Sequence, residues 1–368
     1  MTDTYSFRRP FAALLSSVAI AALALTAAPA MGQGASTPPT APTYPAPSEI
    51  VAAAPAADWV AIPASDLLVM TLAPDPRGGA GRTGERRIVI QLMPAPLSQG
   101  WVANIRTLAA AHWWDGLAVT RVQDNYVAQW GDPDGEDPAK ARALPQGLRV
   151  MGEGEYRVPL LQPRLCGGGT LAFCQSAGEG IANGSVTLFD FARLDPFGVA
   201  GFVSGWPVGI EVHVQSIRPD AESAGSTAWP VHCYGMVGVG RNMSPDTGSG
   251  AELYTVIGHA PRHLDRNIAL VGRVVEGMEH LSSLPRGTGP LGFYETPEER
   301  TAITSIRLAS DLPAGEQPRM EYLSTESTSF ARYAEARANR RDPFFNIPAG
   351  GADICNIPVP VRRMTAGG

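Results

Sequence analysis

Two short runs of residues constrain the fold most. Leu117 to Val122 reads Leu-Ala-Val-Thr-Arg-Val, and Tyr126 to Trp130 reads Tyr-Val-Ala-Gln-Trp. Both runs are rich in β-branched and aromatic residues, and only three residues separate them. Runs of this length and composition on either side of a short connection are typical of paired β-strands. The pattern predicts two antiparallel strands that carry one charged side chain, Arg121.

Further short runs extend this pattern along the chain. They predict strands at Arg87 to Leu92, Ser185 to Phe191, Gly209 to Gln215, Tyr234 to Val239, Leu253 to Ile257, Ile268 to Val274 and Ile303 to Ala309. Apolar residues spaced by four and three predict a helix over Trp101, Ile105 and Leu108, with Ser98 as its cap. Helices are also predicted at Glu276 to Leu284 and at Ser327 to Arg341. Many short strands with few helices indicate a mainly β protein built on a closed antiparallel barrel with capped ends.

The N-terminal region has the composition of an export signal. Arg8 and Arg9 precede an apolar run from Phe11 to Ala28, and Ala28 and Ala30 offer a cleavage site. The alternative is an uncleaved anchor, which requires roughly 20 continuous apolar residues, whereas this run dissolves into Ala, Pro and Gly. We therefore predict a signal peptide at residues 1–32 and a Pro/Ala-rich linker at residues 33–80. The expected location is periplasmic or secreted, with no stable membrane insertion after cleavage.

Charge and cysteine content narrow the choice of partners and compartment. The formal net charge is -6 and charged residues make up 17% of the chain, so there is no basic surface for nucleic acid. The four cysteines, Cys166, Cys174, Cys233 and Cys355, fit an oxidising compartment. Four cysteines allow three pairings, and free buried thiols are the alternative. We predict that Cys166 pairs with Cys174 and that Cys233 pairs with Cys355.

Arg121 also belongs to an ordered series of sequence blocks. They occupy residues 114–122, 129–133, 235–241, 263–267 and 272–278. Their order and separations resemble the cyclophilin family of peptidyl-prolyl isomerases, whose first blocks read approximately Tyr-Asp-Gly, Phe-His-Arg-Val and Gln-Gly-Gly-Asp-Pro. The likeness spans about Arg87 to Leu308. It predicts a cyclophilin-like domain at residues 85–310 with an insertion at about 134–229, followed by a C-terminal extension at 311–368.

The resemblance implies both a fold and a set of site residues. The implied fold is a closed eight-stranded antiparallel barrel capped by two helices. The implied catalytic residues are Arg121 and Gln129. Arg121 stabilises a twisted amide, and Gln129 orients the guanidinium of Arg121. The implied substrate-binding residues are Tyr126, Val127, Tyr254 and Leu264 around the proline ring, together with Gly240, Glu252 and His263. The resemblance implies no cofactor and no metal.

Several positions depart from the family pattern. Thr120 replaces a histidine, Trp130 a glycine, Glu252 a glutamine, Tyr254 a phenylalanine and His263 a tryptophan. The expected function is isomerisation of X-Pro bonds during folding of exported, proline-containing polypeptides, by a monomer that does not bind nucleic acid. The alternative is a catalytically weak cyclophilin-like module of the cell envelope that binds peptides or acts as a scaffold.

Overall fold

A computed structural model describes residues 44–74, 86–159, 199–211 and 227–364, together with the short strands at 164–165, 172–174 and 186–187. The helices within these ranges are α1 (Pro47–Ala52), α2 (Gln99–Ala110), α3 (Glu279–Ser282) and α4 (Thr328–Ala338). The strands are β1 (Trp59–Ile62), β2 (Leu67–Leu72), β3 (Arg86–Leu92), β4 (Ala118–Val122), β5 (Val127–Gly131), β6 (Val158–Pro159), β7 (Arg164–Leu165), β8 (Ala172–Cys174), β9 (Val186–Thr187), β10 (Val199–Val203), β11 (Trp206–Glu211), β12 (Thr227–Pro230), β13 (Met236–Val239), β14 (Leu253–Val256), β15 (Leu270–Glu276), β16 (Thr301–Leu308), β17 (Met320–Leu323) and β18 (Val361–Arg363).

Eight of these strands form a closed barrel. Their order around it is β13-β14-β5-β4-β16-β2-β3-β15, with antiparallel pairing throughout. Closure leaves no unpaired edge, which explains why such short strands form a stable sheet. The predicted fold class is confirmed, and seven of the barrel strands lie at the predicted positions to within a few residues.

The eighth barrel strand, β2, corrects the predicted linker at residues 33–80. Its sequence, Leu-Leu-Val-Met-Thr-Leu, is almost wholly apolar because both of its faces are covered. Leu68 and Met70 belong to the main core, whereas Leu67 and Val69 pack in a second cluster with Met320. Residues 47–72 therefore contain α1, β1 and β2 and are not a linker.

The C-terminal extension packs on the face of β2 that carries Leu67 and Val69. Strand β17 pairs with β1 on one side and β18 on the other, forming a three-stranded sheet. The predicted C-terminal helix is α4, which Ser327 caps by accepting a hydrogen bond from the backbone N–H of Phe330 at 3.0 Å. The Phe330 ring meets the Phe202 ring edge to face at 5.0 Å, so the extension also packs on β10.

The predicted insertion at about 134–229 forms a sheet of its own. Its strand order is β6-β12-β11-β10-β9-β8-β7. The predicted strand at Ser185 to Phe191 appears only as the two residues of β9, and the one at Gly209 to Gln215 begins earlier, as β11. Ser204 and Gly205 join β10 to β11 with positive φ angles of 48° and 83°, as a tight hairpin turn requires.

Two helices accompany the barrel as predicted. Trp101, Ile105 and Leu108 of α2 are fully buried in the main core. Ser98 precedes α2 in a left-handed conformation and makes no side-chain cap hydrogen bond, so its predicted capping role is wrong. The second helix, α3, is limited to four residues. No helix within the described ranges is long and apolar enough to cross a membrane.

Candidate active site

A β-bulge sets the direction of Arg121. In the β4–β5 pair, Val119 lies opposite Trp130 but Arg121 lies opposite Gln129, so Thr120 is the extra residue. A bulge of this kind re-aims the side chain that follows it. As a result Arg121 and Gln129 project from the same side of the sheet, whereas Trp130 is fully buried in the core. Trp130, which replaces a glycine of the family pattern, therefore packs in the core and does not line the cavity beside Arg121.

The guanidinium of Arg121 is held by three hydrogen bonds. Nη1 donates to Oε1 of Gln129 at 3.3 Å, Nε donates to the carbonyl oxygen of Leu291 at 2.7 Å, and Nη2 donates to Oε1 of Gln123. The group also lies over the rings of Tyr126 and Phe293, at 5.6 and 5.2 Å from their centroids. These contacts use three of the five N–H groups of an arginine and fix its plane.

Burial lowers the pKa of Arg121 from its usual value, and the nearby Tyr126 acts in the opposite direction. Burial likewise raises the pKa of the Tyr126 hydroxyl, with Arg121 opposing the rise. Both shifts leave the arginine charged and the tyrosine neutral near neutral pH. The cation is therefore permanent, partly desolvated and able to act on a nearby dipole more strongly than in water.

Glu252 engages Gln129 and not the arginine. Nε2 of Gln129 donates to Oε2 of Glu252 at 2.8 Å, so the amide is bonded at both ends and its oxygen must face Arg121. Burial raises the pKa of Glu252, the hydrogen bond from Gln129 opposes this, and the charges of Glu136 and Asp132 add to it. Gly240 provides room, because a Cβ there would lie 3.0 Å from the Cβ of Glu252.

An apolar wall stands beside the guanidinium. Val127, Tyr254 and Val256 form a small buried cluster against which Tyr126 and Ile268 pack. These side chains except Val256, together with Leu264, Arg121, Gln129, Gly240 and Glu252, line one cavity of about 680 Å³. The structure thus brings eight of the nine predicted catalytic and substrate-binding residues together.

His263 is the exception. It is exposed on a 3-10 turn at Arg262–Leu264 and is not among the described residues that line the cavity. The same turn directs Leu264 into the cavity. His263 therefore lies outside the cavity that holds the other eight residues, and its predicted contact with substrate stays a prediction.

Sequence reasoning missed the segment that closes the site over Arg121. Leu291 supplies the carbonyl acceptor, and Phe293 forms an isolated β-bridge with Arg121 and is 40% exposed. The available signal was the aromatic pair Phe293-Tyr294 after the glycines at 287, 289 and 292. Gly292 is required here, since its φ is 79° and a Cβ would lie 2.6 Å from the Cα of Gln123.

The cysteine predictions divide between described and undescribed residues. Cys233 and Cys355 form a disulfide, as predicted. The predicted Cys166–Cys174 pairing stays a prediction, because Cys166 and the side chain of Cys174 lie outside what the structure describes. Among the side chains that are described, no group of three or more His, Cys, Asp or Glu residues is arranged to hold a metal ion.

Comparison with known proteins decides the family. Residues 82–308 match the family described as cyclophilin type peptidyl-prolyl cis-trans isomerase. The chain belongs to this family. The family defines its enzyme class, peptidyl-prolyl cis-trans isomerase. None of the curated protein sequences compared with the chain matches it.

One solved cyclophilin structure shares the fold. The cyclophilin AquaCyp293 from Hirschia baltica is 19% identical, with 84% of this chain and 95% of that one covered and a TM-score of 0.56. A cyclophilin type isomerase from Cryptosporidium parvum is 10% identical, with 66% of this chain and 96% of that one covered and a TM-score of 0.33. The first comparison supports the eight-stranded barrel described above.

Proposed function

We propose that this cyclophilin catalyses cis–trans isomerisation of X-Pro bonds in exported polypeptides, in the periplasm or outside the cell. Rotation about the bond crosses a barrier of roughly 18 to 20 kcal/mol and takes tens to hundreds of seconds without a catalyst. In the twisted amide the resonance is lost and the proline nitrogen regains its lone pair. A fixed donor beside an apolar pocket lowers this barrier by binding the twisted form better than either planar form.

The observation that carries the proposal is the position of Arg121. Its guanidinium is fixed by Gln129, Gln123 and Leu291, and it borders the cavity whose apolar wall contains Val127 and Tyr254. We expect a proline ring that packs on that wall to have its nitrogen beside the remaining N–H groups of Arg121. Tyr126, Leu264 and Ile268 complete the apolar lining, and Gly240 and Glu252 border the path of the polypeptide. The reaction breaks no covalent bond, so these groups suffice without a cofactor.

The test is the isomerisation rate of a short peptide with one cis X-Pro bond, compared with the uncatalysed rate. We expect the parent protein to accelerate exchange and Arg121→Ala to reduce kcat/KM on the order of 10²- to 10³-fold, as for removal of a preorganised donor. An Arg157→Ala variant is the matched control, because Arg157 is exposed, does not line the cavity and pairs with Glu211 at 3.3 Å. Peptide binding without acceleration would favour the peptide-binding module instead.

Export is the second part of the proposal. Residues 1–32 have the arginine pair, apolar run and small-residue site of a signal peptide, and the Cys233–Cys355 disulfide fits an oxidising compartment. N-terminal sequencing of the protein from a cell-envelope fraction should give a mature chain that begins near residue 33. Recovery of the intact N-terminus from the cytoplasm would contradict export without affecting the isomerase assay. Gel filtration of the mature chain tests the expected monomer.

A further inference from the structure

The hydroxyl of Tyr254 is anchored away from the proline pocket. Its oxygen lies 2.9 Å from Nε2 of His232, and the two rings are nearly parallel, at 11°. Gly238 lies directly across the strand pair, and a Cβ there would come within 2.3 Å of the Tyr254 oxygen. The backbone is thus shaped to admit the hydroxyl and leave one face of the ring to the cavity.

His232 is fully buried and continues the chain of hydrogen bonds. Its Nδ1 lies 2.9 Å from Oδ1 of Asp265, which also accepts the backbone N–H of His232 at 2.9 Å. Burial lowers the pKa of His232 and raises that of Tyr254 well above 10, so both are neutral near neutral pH. The tyrosine therefore donates to Nε2, and Nδ1–H donates to the carboxylate. Each donor has one acceptor, which fixes the ring orientations.

The chain of contacts ends in the C-terminal extension. Oδ2 of Asp265 accepts from Nε of Arg262 at 2.6 Å, and Nη1 of Arg262 lies 3.6 Å from Oδ2 of Asp353. Asp353 caps the next turn by accepting the backbone N–H of Cys355 at 2.8 Å. Cys355 is disulfide-bonded to Cys233, the neighbour of His232. The extension is thus joined to both ends of the same buried polar chain.

We propose that the C-terminal extension is a working part of the proline pocket, because Asp353 and the Cys233–Cys355 disulfide hold the His232–Asp265–Arg262 chain that positions Tyr254. This inference rests on the proposed function. Asp353, Arg262, Asp265 and His232 are positioning residues, since only Tyr254 touches the cavity. A buried polar chain suits this role because any loose member leaves its neighbour unpaired in a low-dielectric interior.

A double-mutant cycle tests the inference. Asp353→Asn keeps an oxygen to cap the turn but removes the charge that faces Arg262. Y254F keeps the ring and removes the hydroxyl through which the chain acts. We expect D353N to raise KM for the cis-proline peptide roughly three- to tenfold in the parent protein, the size of a coupling between connected residues. In the Y254F background, D353N should change KM less than about twofold.

The control is Glu321→Gln. Like Asp353→Asn, it removes a carboxylate of the extension that pairs with an arginine, here Arg362 at 2.6 Å. It should change KM equally little in both backgrounds. Thermal unfolding of every variant separates positioning from loss of fold. Equal effects of D353N with and without the Tyr254 hydroxyl would overturn the inference. If the parent protein does not accelerate isomerisation, the proposed function fails, and the same cycle is measured on the peptide dissociation constant by calorimetry.

Discussion

Two arginines on the barrel have the same kinds of partner: a glutamine side chain, a backbone carbonyl and two aromatic rings. Arg121 of β4 donates to the amide oxygen of Gln129 and to a backbone carbonyl, and it lies over two aromatic rings. Arg273 of β15 donates to Oε1 of Gln91 at 2.9 Å and to the carbonyl oxygen of Gly205 at 2.8 Å. It also lies over two rings, those of Trp206 and Tyr322, at 4.5 and 5.9 Å.

The two sites differ in what covers them. Gly205 and Trp206 come from the insertion and Tyr322 from the C-terminal extension, so two parts of the chain outside the barrel close over Arg273, which is 7% exposed. Burial lowers its pKa to about 10, so it is still charged at neutral pH. Arg121 has one edge on a cavity. The same kinds of contact therefore serve two purposes. Around the enclosed Arg273 they hold the insertion and the extension on the barrel, and around the accessible Arg121 they prepare a site for substrate.

The largest expected effect separates charge from geometry at Arg121. Arg121→Lys keeps the positive charge but cannot donate to Gln129, Gln123 and Leu291 in one plane. We expect kcat/KM for a cis-proline peptide to fall on the order of 100-fold while thermal unfolding changes little. The companion variant, Arg273→Lys, should retain the parent kcat/KM. Equal losses of activity at the two arginines would break the comparison.

Arg273 should show the reverse behaviour. Arg273→Ala leaves the acceptors of Gln91 and Gly205 unpaired and opens a void under Trp206. We expect the free energy of unfolding to fall by about 2–3 kcal/mol, with kcat/KM per folded molecule unchanged. Denaturant unfolding measures the loss. Arg157→Ala, at an exposed ion pair, should cost less than about 1 kcal/mol. A loss of unfolding free energy in Arg273→Ala as small as that in Arg157→Ala would show that Arg273 does not stabilise the packing of the insertion and the extension on the barrel.

The same contrast explains what could be predicted from the sequence. Arg121, Gln129, Tyr126, Val127 and Tyr254 were predicted because the family blocks lie in order along the chain. Local strand patterns located four of them on β4, β5 and β14, and Tyr126 in the turn that precedes β5. The barrel class followed from the many short strands, each visible from its own composition.

The missed features depend on contacts between distant residues. The Leu291 carbonyl is 170 positions from Arg121, and Gly205 is 68 positions from Arg273. The glycines and aromatic pair near Leu291 mark a turn, but the local sequence of neither segment identifies the arginine that it contacts. Strand β2 was hidden for another reason: it is buried on both faces, so it lacks the alternation of a half-exposed strand and follows a Pro/Ala-rich stretch.

A third prediction asks whether the pocket can be damaged while Arg121 stays intact. Gly238→Ala puts a Cβ within 2.3 Å of the Tyr254 oxygen, so the ring must move into the cavity. We expect a rise in KM of about tenfold and a loss of about 1–2 kcal/mol in unfolding free energy, the usual cost of overpacking. Gly154→Ala is the matched control, because a Cβ there meets nothing within 4 Å. An unchanged KM in the Gly238 variant would show that the position of the Tyr254 ring does not affect substrate binding.

The smallest expected effect concerns the half-buried carboxylate of Glu252, which Gln129 links to Arg121. Burial raises the pKa of Glu252 in the folded state, so the folded protein holds this proton more tightly than the unfolded chain. Stability is therefore lost as pH rises from the ordinary carboxyl pKa through the raised one. Glu252→Gln does not titrate and can still accept from Gln129. Its melting temperature should match the parent at low pH and exceed it increasingly as pH rises through that window.

Glu299→Gln provides a control of opposite sign for this pH dependence. A hydrogen bond from Thr288 and the backbone N–H groups of Glu295 and Thr296 lower the pKa of Glu299 against a smaller opposing effect of burial. The parent carboxylate therefore stabilises the fold above its ordinary pKa, and this contribution is lost as pH falls through the lowered value. The Glu299 variant should fall below the parent increasingly as pH rises. A Glu252→Gln melting temperature that falls below the parent as pH rises, as expected for the Glu299 variant, would show that the Glu252 carboxylate is not held at a cost beside Arg121.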